Sequence, residues 1–204
     1  MSAVGDIGAV ERAVAAIRSG HGVVVVDDAS REDEGDVVFP AATLTEAQVA
    51  FLMDQCRGLI CVAASGSILD RLGLGPMVPD NADAYRTAFT VSVDARHGIT
   101  TGISAADRAL TARLLADPAS GPGDFVAPGH LFPLRAVDGG VRVRRGHTEA
   151  AVDLMLRADH EPAGVICEIA GPDGRMLRGS ELVEFAERHG MPLVSIAELV
   201  AAGS

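Results

Sequence analysis

The sequence predicts a single α+β domain over residues 1–204, built of three layers in which a mixed β-sheet is flanked by helices. Three observations support this fold class. The chain of 204 residues is 48% hydrophobic and 22% charged, a composition typical of one globular domain. Short β-branched runs alternate with segments of helical periodicity. Glycine-rich turns add hairpins, which favour a mixed sheet over a purely parallel one.

Local signals predict five elements in the N-terminal half. They are a helix on Val10, Val14 and Ile17, strands at 23–26 and 36–39, a helix capped by Thr45 and Gln48, and a strand at 59–62. Four consecutive valines at 23–26 are typical of a buried strand, because both faces are apolar. Thr45 with Gln48 three residues later forms a capping box, which satisfies backbone N–H groups at a helix start.

The C-terminal half contains the remaining predicted elements. They are a short helix near Leu69, a half-exposed strand at 89–93, a helix capped by Ser104, a helix at 149–158, a buried strand at 165–167, a helix after Ser180 and a strand at 193–194. Glycine-rich turns at 138–140 and 172–174 predict hairpins. His130 follows Pro128-Gly129, so we expect it on a turn before a strand at 131–132.

Charge and composition exclude several function classes. The net charge is −11, the opposite of what a nucleic-acid or membrane-surface binder needs. All 17 basic residues are arginine, so lysine-dependent Schiff-base chemistry and a P-loop are excluded. Three cysteines without paired spacing indicate reduced thiols. Since the sequence also shows no signal peptide and no membrane span, we expect a cytoplasmic protein.

An acidic segment directly follows the first predicted strand. Residues 27–36 contain six carboxylates in ten positions, at a place where α/β proteins often carry their sites. Crowded carboxylates repel one another unless a cation binds among them, and oxygen-rich sites suit Mg²⁺. Arg31 within the segment favours a site, whereas the alternative is a solvated acidic loop.

An arginine-rich segment precedes the predicted helix at 149–158. Arg142, Arg144 and Arg145 stand within four residues of an otherwise acidic chain, followed by a glycine and a helix start. Guanidinium groups and helix N–H groups converging there suit an anion, of which phosphate is the natural candidate. His147 beside them is a candidate metal ligand or base. The alternative is a cationic surface loop with Thr148 as a helix cap.

Two further residues are candidates for proton transfer. Glu168 ends the apolar run at 165–167, and a carboxylate at a buried strand end is typical of an acid–base residue. A salt-bridged structural glutamate would show the same pattern. His130 is the second candidate, although a histidine on such a turn is more often structural. Hydrolase arrangements based on an activated serine or cysteine find no support.

The chain contains five ordered motifs, DDASREDEGD (27–36), TTGISAADR (100–108), PGHLFPLR (128–135), GHTEA (146–150) and PAGVICE (162–168). Together they resemble the motifs of the 3,4-dihydroxy-2-butanone 4-phosphate synthase family of riboflavin biosynthesis. The resemblance implies a single α+β domain that works as a homodimer with its active sites near the subunit interface. It also implies conversion of D-ribulose 5-phosphate to L-3,4-dihydroxy-2-butanone 4-phosphate and formate. The cofactor implied is Mg²⁺ or Mn²⁺, two ions per site, with no organic cofactor.

The resemblance also assigns roles to residues at matching positions. Glu32 and His147 would hold the metal, and His130 and Glu168 would be the catalytic proton-transfer residues. The substrate-binding set implied is Arg31, Glu32, Asp36, Arg144, Arg145, Gly146, His147, Thr148 and Glu168. This agrees with the roles that the residues themselves suggest, namely a hard-cation loop, an arginine cradle and an acid–base carboxylate.

The sequence departs from the family pattern in the loop at 81–87. Ala82 replaces a hydroxyl residue and Arg86 replaces a glycine, which changes the electrostatics beside the substrate and the backbone freedom of the loop. Two alternatives follow: a catalytically weakened relative that binds a sugar phosphate, and an enzyme for another phosphorylated ketose. The chain lacks the cysteine cluster of a GTP cyclohydrolase II domain, so we expect the stand-alone form.

Overall fold

The structure, a computed structural model, describes residues 8–203 as seven α-helices and seven β-strands. The helices are α1 (Ala9–Arg18), α2 (Glu46–Phe51), α3 (Gly66–Arg71), α4 (Ala105–Ala116), α5 (His147–Arg157), α6 (Ser180–Arg188) and α7 (Ile196–Ala201). The strands are β1 (Val23–Val26), β2 (Gly35–Pro40), β3 (Cys61–Ala64), β4 (Val93–Ala95), β5 (Phe125–Arg135), β6 (Ala163–Glu168) and β7 (Leu193–Ser195). Residues 1–7 and 204, and with them the expectation about a signal peptide, lie outside the described residues.

The seven strands form one mixed sheet in the order β4-β5-β3-β6-β2-β1-β7. β1 pairs with β7 and β3 with β5 in parallel, whereas the other neighbours are antiparallel. No helix among residues 8–203 is long and apolar enough to cross a membrane. The predicted α+β class with a mixed sheet is confirmed.

The core consists of two hydrophobic clusters, one on each face of the sheet. Val24 and Val37 pack with α2, α3, α4 and α6, whereas Val23, Val25 and Val38 pack with α1, α5 and α7. This division follows from the strand period of two, which sends successive side chains to opposite faces. The sheet is therefore the middle layer of three, as the sequence predicts.

Several predicted elements occur with shifted ends. The α2 capping box is present, and the helix continues as a π-helix to Cys56 and ends at Arg57, which has a left-handed φ of 65°. The strand predicted at 59–62 lies at Cys61–Ala64. Leu59 stays outside it because its N–H donates to the Glu168 carboxylate instead of to a backbone carbonyl of a neighbouring strand. The strand predicted at 89–93 forms its ladder only from Val93, and residues 89 and 90 make isolated bridges.

Two local predictions are wrong, and one helix has no counterpart among the predictions. The turn at 138–140 leads into a 3₁₀-helix instead of a hairpin, since the N–H groups of Val137 and Val141 donate to carboxylates on α5. His130 lies within β5 and not on a turn. The unpredicted α7 carries a capping box of Ser195 and Glu198, a signal present in the sequence. The hairpin at 172–174 is confirmed by the bridge between residues 170 and 176.

Candidate active site

A cleft of about 120 Å³, partly open to solvent, lies on the α5 face of the sheet. Its lining residues come from both segments that the sequence singles out, from the strands β2, β3, β5 and β6, and from residues 87 and 89 before β4. They are Arg31, Glu32, Asp36, Cys61, Thr87, Phe89, Leu134, Arg144, His147, Thr148, Ile166 and Glu168. The apolar members from the strands form part of the wall that the sheet provides, and several polar members, among them Asp36, His147 and Thr148, are buried.

The acidic segment after β1 folds around the buried carboxylate of Asp27. This carboxylate accepts hydrogen bonds from the backbone N–H groups of Glu32 (3.1 Å) and Glu34 (2.9 Å) and from Nη1 of Arg31 (3.0 Å). The Asp27 side chain is fully buried. The loop is therefore organised from within, and it turns Arg31 and Glu32 towards the cleft. A solvated acidic loop does not account for this arrangement.

Glu32 and His147 form the part of the cleft that suits a metal ion. Oε2 of Glu32 lies 3.6 Å from Nδ1 of His147, and their ligand atoms and one from Asp27 all lie within 4.8 Å of one another. Nε2 of His147 is buried and has no hydrogen-bond partner among the described residues. One imidazole and two carboxylates at this spacing form a donor set suited to a divalent cation, and the unpartnered Nε2 leaves the ring without a second protein partner among the described residues.

The electrostatics of this cluster favour positive charge. Burial opposes charging of the imidazole, but the carboxylates of Asp36, Glu32 and Asp27 outweigh it and raise the pKa of His147 to about 9. The hydrogen bond to His147, with the nearby Arg31, lowers the pKa of Glu32. A cation that replaces the imidazole proton would meet the same field, so these residues fit a bound metal.

Asp36 and Glu168 are direct neighbours across β2 and β6. Oε2 of Glu168 accepts a hydrogen bond from the Leu59 N–H at 2.8 Å, which fixes the carboxylate at the end of its strand. Asp36 is 3% exposed, and its Oδ1 has no partner among the described residues. Burial raises the pKa of the Asp36 carboxyl, with a contribution from Glu168, while His147 opposes the rise. The pair places two carboxyl groups side by side facing the cleft.

The same cleft carries the predicted arginine cradle at the start of α5. Nη1 of Arg144 donates to the carboxylate of Glu149, which is fully buried, and this fixes the guanidinium beside the N-terminus of α5. Gly146 precedes the helix, and a Cβ at this position would displace the Arg144 guanidinium from its place beside Glu149. The first N–H groups of α5, starting at His147, and Thr148 face the same space, an arrangement suited to an anion.

A loop at residues 81–87 covers both arginines of the cleft. The Tyr85 hydroxyl donates to the Arg31 carbonyl at 3.0 Å, and the Arg31 guanidinium carbon lies 5.1 Å from the centre of the Tyr85 ring. Arg144 donates through Nη2 to the Tyr85 carbonyl (3.1 Å) and to Oγ1 of Thr87 (3.3 Å). Sequence reasoning missed Tyr85 and Thr87, although Asn81 and Asp83 nearby are typical turn formers.

The cleft brings together most of the predicted site residues. Those that line it are Arg31, Glu32, Asp36, Arg144, His147, Thr148 and Glu168. Gly146 is the N-cap residue of α5, and the exposed Arg145 lies at an adjacent cleft beside Asp28 and Ser30. His130 does not line the cleft. It stands four positions from Leu134 along β5, which corresponds to about 13 Å at roughly 3.3 Å per residue.

Sequence reasoning also missed Asp27 as the organiser of the acidic loop and Glu149 as the partner of Arg144. Both belong to segments that the sequence singles out, but their burial is visible only in the structure. The apolar wall residues Cys61, Leu134 and Ile166 carry no signal besides hydrophobicity. All three cysteines are buried and free.

Comparisons with known proteins agree on one family. The family profile for 3,4-dihydroxy-2-butanone 4-phosphate synthase matches residues 11–202. The synthase of that name from Vibrio cholerae is 49% identical over 191 residues, covering 94% of this chain and 88% of the relative. The riboflavin biosynthesis protein RibBA of Rhodococcus jostii is 56% identical over 194 residues, covering 94% of this chain and 46% of the relative.

A solved structure extends this agreement to the fold. It is that of a 3,4-dihydroxy-2-butanone 4-phosphate synthase in complex with two magnesium ions, and it superposes with a TM-score of 0.92. The two chains are 46% identical, and the match covers 96% of each. The chain therefore belongs to the 3,4-dihydroxy-2-butanone 4-phosphate synthase family.

Proposed function

We propose that the cleft converts D-ribulose 5-phosphate to L-3,4-dihydroxy-2-butanone 4-phosphate and formate in riboflavin biosynthesis. The observation that carries the proposal is the meeting of a carboxylate–histidine cluster and an arginine-lined helix N-terminus in one cleft. The five carbons of the substrate divide into the four-carbon product and formate. The water lost in the dehydration is regained when formate leaves, so the atoms of the product and formate add up to those of the substrate. No external oxidant or reductant is therefore needed.

The phosphate of the substrate binds at the N-terminus of α5. Arg144, already held in place by Glu149, supplies charged N–H donors, and Thr148 supplies a hydroxyl. Arg31 adds a second guanidinium on the opposite side. This orientation places the carbon chain of the ketose over Glu32, Asp36 and Glu168, where the bond changes occur.

Glu32 and His147 would hold Mg²⁺ or Mn²⁺, and the magnesium-bound relative supports two ions at such a site. When bound, a divalent ion polarises adjacent carbonyl and hydroxyl oxygens and lowers the free energy of enediolate formation. Glu168 takes up the proton that leaves carbon during enolisation. The neighbouring Asp36 binds a substrate hydroxyl, and its raised pKa allows the carboxyl to hold a proton.

We further propose that residues 1–204 act as one domain and that two copies form a homodimer that completes each site. His130 lies outside the cleft of its own chain, on an exposed stretch of β5. Ile103 and Val126 are also exposed, at 50% and 36%. Gly102, next to Ile103, lies against His130, and Phe125, next to Val126, pairs with β4. Apolar exposure around an imidazole supports a contact in which each copy places His130 in its partner's cleft.

The reaction is tested by ¹³C NMR with uniformly labelled ribulose 5-phosphate, first with Mg²⁺ and then with EDTA. We expect labelled formate and a four-carbon phosphate in equal amounts, and only with the metal. Unchanged substrate from folded protein with Mg²⁺ would contradict the proposal. Binding of the labelled ketose without turnover would then support the weakened sugar-phosphate-binding relative.

The shared site is tested by mixing two variants expected to keep only a small residual turnover, His130→Gln and Glu168→Gln. Each homodimer lacks one residue in both sites, whereas a mixed dimer has one site with both residues intact. After unfolding and refolding as a 1:1 mixture, we expect about a quarter of wild-type activity. The control mixes Glu168→Gln with Glu32→Gln, two residues of one cleft. Because Glu32 and Glu168 belong to the same cleft of the same chain, no mixed dimer contains an intact site. We therefore expect no recovery of activity in this control.

A further inference from the structure

Asp94 and His130 form a pair of titratable residues outside the cleft. Nδ1 of His130 lies 2.7 Å from Oδ2 of Asp94, and the His130 backbone N–H donates to Oδ1 of the same carboxylate at 2.9 Å. The Asp94 side chain is 7% exposed, whereas the His130 side chain is 45% exposed. One carboxylate therefore fixes both the backbone and the ring of the histidine, and the ring extends from it towards solvent.

A glycine loop covers the pair on one side. Gly102 has a φ of 93°, and a Cβ at this position would lie 2.2 Å from Asp94 Oδ2 and 2.7 Å from His130 Nδ1. The loop is held by Asp107, whose carboxylate accepts from the Gly102 N–H (3.0 Å) and from Oγ1 of Thr100 (2.7 Å). The contact between Asp94 and His130 is thus shielded from water, which strengthens the hydrogen bond between them.

The carboxylate also determines which nitrogen of the neutral imidazole carries the proton. An ionised carboxylate only accepts hydrogen bonds, so the proton of the neutral ring resides on Nδ1. Nε2 is then left with its lone pair free to take up a proton. After protonation the ring is held in the same orientation, and Nε2 can return the proton to another atom.

We infer that Asp94 is the positioning residue of His130, holding the ring as the Nδ1–H tautomer so that Nε2 accepts and returns a proton during turnover. The inference rests on the proposed function, in which His130 transfers protons. Asp94 contacts neither the substrate nor the metal in this proposal. It affects the reaction only by orienting the His130 ring and by setting which ring nitrogen carries the proton.

The variant Asp94→Asn tests the inference. The amide oxygen still accepts from the His130 N–H, but the amide NH₂ donates to Nδ1 and favours the Nε2–H tautomer. We expect kcat to fall about 100-fold with KM nearly unchanged, the range that general acid–base catalysis contributes. Long-range ¹H–¹⁵N NMR of the substrate-free enzyme should show the protonated nitrogen moving from Nδ1 to Nε2. The His130 signals are those that vanish in His130→Gln.

Two controls separate positioning from a merely structural role. Asp153→Asn changes another carboxylate that accepts a backbone N–H, from Val141 at 3.1 Å, and should preserve kcat. In the His130→Gln background, Asp94→Asn should cause no further loss of kcat, because its effect needs the imidazole. An additive loss would show that Asp94 supports the fold instead.

The outcomes also separate this inference from the proposed function. If His130→Gln retains full turnover, the catalytic role of His130 is wrong and the inference falls with it. If His130→Gln is inactive but Asp94→Asn keeps wild-type kcat or an unchanged tautomer, only the inference is overturned. Circular dichroism of each variant verifies that the chain is folded.

Discussion

Arg86 is an arginine in a backbone conformation that favours glycine. Its φ is 56°, and the loop imposes this value because the Arg86 N–H donates to the Asp83 carbonyl while Asn81 and Asp83 brace the turn. The guanidinium has no hydrogen bond or ion pair to any residue within 8–203. Nothing among the described side chains therefore offsets the left-handed strain, which lies beside the mouth of the cleft.

We predict that Arg86→Gly raises the free energy of unfolding by about 0.5–1 kcal/mol, since relief of left-handed strain outweighs the greater chain entropy of glycine. Urea unfolding of the two proteins measures the change. Arg57→Gly is the matched control, because Arg57 also has a positive φ but donates to the carbonyls of Gln55 and Ala170. The increase in unfolding free energy for Arg57→Gly should be smaller, or the variant should be less stable than the wild type. If Arg86→Gly is less stable than the wild type, the explanation by backbone strain at Arg86 is wrong.

At the scale of residues, sequence reasoning succeeds where the chemistry is local. Glu32, Arg144 and His147 belong to short charged segments whose composition already suggests a cation and an anion. The neighbour relation of Asp36 and Glu168 depends on the register of β2 and β6, which no local signal fixes. Pro128-Gly129 suggests a turn before His130, whereas residues 127–130 form an irregular stretch within β5, where the register against β4 shifts between Val126 and Leu131.

The end of α6 packs through an aromatic cluster that joins it to α2. The His189 ring lies 4.5 Å from the ring of Phe185 and 5.0 Å from that of Phe51, and its buried Nε2 has no hydrogen-bond partner within residues 8–203. Burial lowers the pKa of His189, and Arg188 contributes to the same direction. The folded state therefore disfavours the charged ring, so stability is lost as the pH falls through the unfolded-state value of about 6.5.

We predict that His189→Phe removes this part of the acid sensitivity. The stability gained by the variant over the wild type should be larger at pH 5.5 than at pH 8, as measured by thermal unfolding. His189→Gln separates charge from packing, because glutamine cannot be protonated but loses the ring contacts with Phe51 and Phe185. It should show the same weaker pH dependence at a lower stability throughout, and equal pH slopes in all three proteins would refute the explanation.

At the scale of elements, the predictable features are those with signals inside the element. The capping residues Thr45 and Ser104 each begin a helix where the sequence places it. Strand ends are determined by partners far along the chain, so β3 and β4 begin later than their hydrophobic runs. The 3₁₀-helix at Gly140–Arg142 is held by carboxylates of α5, which accept from the Val141 N–H within it and from the Val137 N–H before it, contacts that a turn motif does not reveal.

The molecule as a whole has an excess of negative charge, whereas its cleft contains both carboxylates, which suit a cation, and arginines, which suit an anion. Its net charge of −11 is concentrated in part in the segment after β1, where Asp27, Glu32 and Asp36 lie near His147. Without a cation these carboxylates repel one another in a partly buried site. A divalent ion should therefore stabilise the folded chain as well as support turnover, and the two effects can be measured separately.

We predict that Mg²⁺ at about 100 times its dissociation constant stabilises the chain by about 2.7 kcal/mol. For a domain of this size, roughly 2–4 °C in Tm accompany each kcal/mol, so EDTA should lower Tm by about 5–10 °C. Differential scanning calorimetry with Mg²⁺ and then EDTA measures the shift. Glu32→Gln and His147→Gln should lose most of it, because each removes one metal ligand. Asp153→Asn, which leaves the cleft intact, should retain the full shift. An equal magnesium shift in all four proteins would place the ion elsewhere, and the assignment of Glu32 and His147 as ligands would then be wrong.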